Sequence, residues 1–194
     1  MIDRFVTVPT KAGVMECFVS HPEENAPFPA VLLYMDIWGV REELYDVARR
    51  VATVGYYVIL PDLYYRQGKV RQAFYDADGK QRSFQALSKE EQQEVLKPLF
   101  ALKDEMVLED TASLIDFLGK GEPVKAGPMG CYGYCLGGRL ILRVAGAFPD
   151  RIKASAGMHG TNVVSDGPDL AHLAAVKAQG EIYMGYGELD SFSP

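Results

Sequence analysis

Gly133-Tyr134-Cys135-Leu136-Gly137 constrains the fold of this chain more than any other stretch. It is a G-x-nucleophile-x-G pattern with cysteine at the centre. An apolar run precedes it, and Leu140, Ile141, Val144 and Phe148 follow on one face of a helical pattern. The pattern alone is common; its flanks give it weight. Strand before and helix after require a sharp turn that presents the central side chain, a nucleophile elbow. Glycine is needed on both sides because the turn presses against its neighbours, while the central residue takes a strained backbone conformation. The helix starts at this turn, so its positive N-terminal end is expected to favour the thiolate of Cys135. Cys131 lies inside the apolar strand and reads as a packed small hydrophobe. A Cys131–Cys135 disulfide is not expected, since one stands in the strand and the other on its terminal turn.

Around the elbow, apolar runs alternate with helical patterns. Phe5–Val8 and Met15–Val19 flank a turn through Pro9 to Gly13 and predict a hairpin. Ala30–Met35 is continuously apolar, as a strand buried on both faces should be. Leu44, Val47, Ala48 and Val51 fall at helical spacing, Gly55 ends that helix, and Tyr56–Leu60 is the next strand. From Pro61 to about Lys103 the pattern weakens. Ser88-Lys89-Glu90-Glu91 predicts a capping box and a short helix ending before Pro98. A further helix is predicted from about Asp104 to Leu118, and then come the strand and helix of the elbow. A strand at Ile152–Gly157, a short helix around Asp169–Lys177 and a strand at Glu181–Tyr186 complete the order. The alternation predicts an α/β domain with a mainly parallel central sheet, helices on both faces and an N-terminal hairpin. Ligands in such sheets bind at the carboxyl ends of the strands. The polar residues just past the strands are Asp36, Asp62, Cys135, His159 and Asp190.

The 194 residues suffice for one domain with a sizeable core. A net charge of −6 argues against nucleic acid and against an anionic membrane surface. No apolar run approaches the length of a membrane span, and Met1-Ile2-Asp3-Arg4-Phe5 does not open a secretory signal. Three cysteines without metal-ligand spacing point to a reduced, cytoplasmic setting, with no metal and no cofactor.

Four stretches in this order resemble the dienelactone hydrolase family of the α/β-hydrolase fold. They are Met35-Asp36-Ile37-Trp38-Gly39-Val40, Pro61-Asp62-Leu63-Tyr64, Gly133-Tyr134-Cys135-Leu136-Gly137-Gly138 and Gly187-Glu188-Leu189-Asp190. The likeness runs from about Phe28 to Pro194. Cysteine at the elbow is its most specific part, because most α/β-hydrolases carry serine there. The resemblance implies a Cys-Asp-His triad in which Cys135 matches the nucleophile and Asp190 the acid. Asp36 stands where the family has a glutamate that interacts with the resting thiol, and is one methylene shorter. The backbone N–H groups of Ile37 and Leu136 would form the oxyanion hole.

The family histidine follows the triad acid on a loop after one more strand, and this sequence stops at Pro194. The resemblance therefore implies a single α/β-hydrolase domain over 1–194 that is incomplete at its C-terminal side, with the last strand and helix missing. A sheet edge and an apolar face are expected to be left uncovered. Of the three histidines, His21 and His172 read as surface residues, and His159 as a pocket residue within Gly157-Met158-His159-Gly160. Trp38 and, among the arginines of the weakly patterned segment, Arg82 are candidate substrate contacts. Asp62 reads as a loop-stabilising residue, and Tyr56, Tyr57, Tyr64 and Tyr65 as packing. The implied activity is hydrolysis of a small-molecule ester or lactone through the thiol, by a monomer or homodimer. The alternative is a binding or regulatory protein that keeps the fold without the chemistry. A serine esterase is disfavoured because the elbow holds no serine.

Overall fold

Val6 and Val8 alternate with exposed neighbours along β1 (Ile2–Thr10), so that strand turns one face inward and the other to water. It pairs antiparallel with β2 (Gly13–His21) through a tight turn. The structure, a computed structural model, describes residues 1–164 and 171–190. The continuous apolar runs become β3 (Ala30–Tyr34) and β4 (Tyr57–Pro61). With β5 (Met129–Tyr134), β6 (Ile152–Met158) and β7 (Glu181–Gly185) they build one seven-stranded sheet in the order β1-β2-β4-β3-β5-β6-β7. β2 meets β4 antiparallel; every pair from β4 through β7 is parallel. The hairpin is thus an antiparallel extension of a parallel sheet.

Helix α1 (Glu42–Ala52) packs on β2 and β4, burying Leu44, Ala48 and Ala52. α4 (Leu136–Ala147) packs on β3, β5 and β6, with α3 (Asp104–Leu118) against it and α5 (Ala171–Ala175) beside it. The sheet therefore carries helices on both faces, as the alternation predicts. Two buried carboxylates tie these layers together. Asp104 of α3 accepts two hydrogen bonds of 2.8 Å from Arg139 of α4. Asp110 accepts from Arg66 at 2.6 and 2.9 Å and from the Tyr65 hydroxyl at 2.9 Å. Asp62 holds its loop as expected, accepting from Tyr64 N–H and Arg71.

Two expectations need correction. The helix opened by the Ser88–Glu91 capping box, α2 (Lys89–Ala101), does not end before Pro98 but runs through it. Proline cannot donate to the carbonyl four residues back. That carbonyl, of Glu94, instead lies 3.5 Å from the Gln72 side-chain amide, and buried Pro98 itself packs inward. His21 is buried rather than on the surface. Its ring stacks on Tyr57 at 5.2 Å and 13°, a long-range contact that its local sequence does not announce. The predicted short helix begins partly outside the described residues; its described portion is α5. His172 is half-buried there, its Nδ1 3.2 Å from the Val163 carbonyl.

A groove of about 900 Å³ runs over the sheet beside α1, floored by Val31, Cys131 and Ala156 and edged by Tyr183. β7 is the last strand of the sheet among the described residues, and Tyr183 on it is 62% exposed. Among the described residues no helix is long and apolar enough to cross a membrane.

Candidate active site

Cys135 occupies the turn between β5 and α4 with φ 53° and ψ −113°, a conformation that a residue with a Cβ adopts only under constraint. Backbone bonds supply that constraint. Its N–H donates to the Met158 carbonyl at 3.0 Å, and its carbonyl accepts from Arg139 N–H at 3.2 Å and Thr161 N–H at 3.3 Å. The flanking glycines make the turn sterically feasible. A Cβ on Gly133 would lie 2.4 Å from the Gly137 carbonyl carbon, and one on Gly137 would lie 2.3 Å from the Tyr34 carbonyl oxygen. The G-x-C-x-G spacing is therefore a packing requirement between β3, β5 and α4.

The thiol lies among opposing influences. Burial pushes it up. The Leu136 backbone N–H pulls it down, the Asp36 charge raises it, and the Thr161 hydroxyl and the Ile37 backbone N–H lower it again. The balance leaves Cys135 above the ordinary thiol range, so the resting group at neutral pH is a neutral thiol. This reverses the thiolate expectation. Desolvation in the half-buried cleft outweighs the helix N-terminus. Even so, the Leu136 and Ile37 backbone N–H groups both act to lower the thiol.

The Ile37 peptide is held from both sides. The Tyr64 hydroxyl donates to the Ile37 carbonyl at 3.1 Å, and Trp38 N–H donates to Asp36 Oδ1 at 2.9 Å. Asp36 is 9% exposed, and Arg41 grips both of its oxygens, at 2.7 and 2.8 Å. Its carboxylate thus holds the loop that carries Ile37 and also places a negative charge near the sulfur.

Cys135, Asp36, Ile37, Trp38, Arg82, His159 and Asp190 all line one cleft of about 520 Å³. His159 has φ 40°; its N–H donates to the Gly185 carbonyl at 2.7 Å, and its ring stands 6.0 Å from that of Tyr134. Asp190 follows the turn after β7, its N–H 3.3 Å from the Gly187 carbonyl. Arg82 reaches the cleft with its charge already engaged, donating to Glu91 Oε1 at 2.9 Å and to the Ala86 carbonyl at 2.6 Å. Among the described residues no group of three or more His, Cys, Asp or Glu side chains is placed to hold a metal ion.

Sequence reasoning missed Arg41, the hydrogen bond from the buried Tyr64 hydroxyl to the Ile37 carbonyl, and Thr161. Arg41 stands at the N-cap of α1, where a short oxygen-bearing side chain would be the usual cap. Thr161 follows His159-Gly160 directly, so extending the reading of that turn by one residue would have included it.

The charge arrangement has a measurable consequence. Asp36→Asn removes a negative charge that raises the thiol, and this change favours thiolate. The midpoint of Cys135 alkylation against pH is expected above the ordinary thiol value of about 8.5 in the wild type. It should fall in Asp36→Asn. A midpoint that stayed put or rose would contradict this account of the site's electrostatics.

A mainly parallel sheet with an antiparallel entry hairpin and a sharp strand-to-helix elbow after the central strand of its parallel part has the architecture of the α/β-hydrolase fold. The chain belongs to the dienelactone hydrolase family, which it matches over residues 15–194. It is 30% identical over 155 residues to a "Putative carboxymethylenebutenolidase" of Methylorubrum extorquens, covering 80% of this chain and 48% of that protein. It is 27% identical to a Synechocystis protein of the same name, covering 97% of this chain and 72% of the relative. The chain thus spans about half the length of the first of these relatives. In solved structures it resembles the "Putative Dienelactone Hydrolase" of Klebsiella pneumoniae at 25% identity and a TM-score of 0.81, over 100% of this chain and 75% of that one.

Proposed function

We propose that the protein hydrolyses an ester or lactone of a small molecule with Cys135 as the nucleophile. The observation that carries this reading is Cys135 held at φ 53° on the elbow, lining one cleft with Asp36, Ile37, His159 and Asp190. A carbonyl whose carbon approaches the Cys135 sulfur places its oxygen beside the Leu136 and Ile37 N–H groups. They then stabilise the charge that develops on it.

The reaction opens with transfer of the thiol proton to a base. The sulfur forms a bond to the carbonyl carbon, and the π pair moves to oxygen. Collapse of this intermediate breaks the carbon–oxygen bond, and the leaving alkoxide takes the proton from the base. Water then repeats the sequence on the thioester and restores the thiol. Asp190 is assigned to orient the imidazole base of a Cys-Asp-His triad. His159 is the histidine among the described residues that lines the cleft, and it is assigned to the substrate wall. Because the resting thiol is neutral, Asp36 would keep it so until substrate and base are both in place.

The same neutral thiol favours a second reading, a binding protein that keeps the pocket without turnover. Thiol alkylation separates the two. Cys17 and Cys131 are buried and Cys135 is half-exposed, so iodoacetamide modifies Cys135 first. Loss of activated-ester hydrolysis in proportion to Cys135 alkylation is the expected result. Absence of hydrolysis before alkylation would support the second reading, and hydrolysis that survives full Cys135 alkylation would overturn Cys135 as the nucleophile.

A further inference from the structure

The turn that carries the Ile37 N–H is tied down from outside itself. Residues 36–39 form it: Gly39 N–H donates to the Asp36 carbonyl at 3.3 Å, and Gly39 takes φ 79°. Two consecutive peptides meet at Ile37. The first bears the Ile37 N–H, and its carbonyl end is held by that long Gly39 bond. The second is pinned at both ends. Trp38 N–H donates to Asp36 Oδ1 at 2.9 Å, and the Ile37 carbonyl accepts from the Tyr64 hydroxyl at 3.1 Å. The two peptides share the Ile37 Cα, so the anchors on the second restrain the aim of the N–H on the first.

The Asp36 anchor belongs to the turn, whereas Tyr64 reaches it from the loop after β4, the strand beside β3. Tyr64 is fully buried, and its ring packs on the turn as well: a Cβ on Gly39 would stand 3.5 Å from that ring. Its own backbone is fixed. The Tyr64 N–H donates to Asp62 Oδ1 at 3.1 Å, and its carbonyl accepts from Gln67 N–H at 2.8 Å. Burial, followed by the Asp36 and Cys135 charges, pushes the phenol far above its ordinary range, so the hydroxyl stays a donor at any working pH. A donor aimed before the reaction begins costs no reorganisation as charge develops.

Resting on the hydrolase reading above, we propose that Tyr64 is a positioning residue for the reaction: its hydroxyl, bonded to the Ile37 carbonyl, keeps the Ile37 N–H aimed at the oxyanion. It touches no reacting atom. Its contribution is made through Ile37 and belongs to the transition state rather than to substrate binding.

Tyr64→Phe removes the hydroxyl and keeps the ring. Tyr65→Phe is the matched control, one residue along, where the lost hydroxyl bonds Asp110 and Thr10 instead. With nitrophenyl acetate, Tyr64→Phe should lower kcat about 10-fold, less than the loss of a whole oxyanion donor, and leave KM within about 2-fold. Benzyl trifluoromethyl ketone supplies a readout that mere loosening of the fold would not move. The Cys135 sulfur bonds to the ketone carbon, the π pair moves to oxygen, and the thiol proton leaves to solvent. Fluorine NMR against pH then follows protonation of the adduct oxygen. Its midpoint should rise by about one pH unit in Tyr64→Phe, the same tenfold, and stay in place in Tyr65→Phe. An unchanged midpoint in Tyr64→Phe would overturn the proposal, as would an equal rise in Tyr65→Phe. Failure of the hydrolase reading looks different: the wild type forms the adduct but turns over no ester, and the adduct midpoint still decides the role of Tyr64.

Discussion

Cys135→Ala should abolish ester hydrolysis, a loss on the order of 10⁴-fold or more, because removing a nucleophile deletes the covalent route and leaves only binding and the oxyanion donors. The fold should persist, since only one sulfur atom is lost and the turn is held by backbone bonds to Met158, Arg139 and Thr161. Cys131→Ala is the matched control. Its sulfur is buried, lies 3.2 Å from the Ser155 hydroxyl and has its thiol pushed up to about 12 by burial. It cannot serve as a thiolate near neutral pH. That variant should keep activity and lose about 1 kcal/mol of stability. Steady-state rates and urea midpoints on the two variants check both statements. An active Cys135→Ala, or an inactive but folded Cys131→Ala, would show that the elbow does not carry the reaction.

Gly137→Ala should have the largest effect on stability. The added methyl carbon would stand 2.3 Å from the Tyr34 carbonyl oxygen and 2.8 Å from both the Tyr34 carbonyl carbon and the Met35 carbonyl oxygen. All three are backbone atoms of the β3 end, so no side chain is available to move aside. α4 must lift from the sheet, at a cost of at least about 3 kcal/mol by the scale of overpacked cores. The lift also separates the Leu136 and Ile37 N–H groups, so residual protein should be nearly inactive. Gly119→Ala is the control: its Cβ would approach nothing nearer than 3.5 Å. Surface changes of that kind stay within about 0.5 kcal/mol. Thermal or urea unfolding reads the difference. Equal midpoints for Gly137→Ala and wild type would mean that the close approach at the elbow is not as described.

Those features that depend on local chemistry were legible in the sequence. α3 spans Asp104–Leu118 as its apolar spacing predicts, and the elbow appears where glycine spacing requires it. The cleft residues Asp36, Cys135, His159 and Asp190 follow from a general property of parallel sheets, that loops past the strand ends meet at one edge. What was hidden depends on distant partners. His21 is buried because Tyr57, on β4, lies beneath it. Pro98 stays in a helix because Gln72 approaches the Glu94 carbonyl. Arg82 reads as a substrate cation until Glu91 is seen beside it. The protonation of Cys135 is the net of burial, one carboxylate and three donors, and no single segment displays that sum.

The central claim is that Cys135 forms a covalent acyl intermediate. Rapid acid quenching during turnover of an activated ester, followed by mass measurement of peptides, tests it most directly. The account predicts the acyl mass on the peptide containing Cys135, labile to hydroxylamine as a thioester is. Acyl groups found on another residue, or turnover with no acylated peptide while Cys135→Ala remains active, would contradict it.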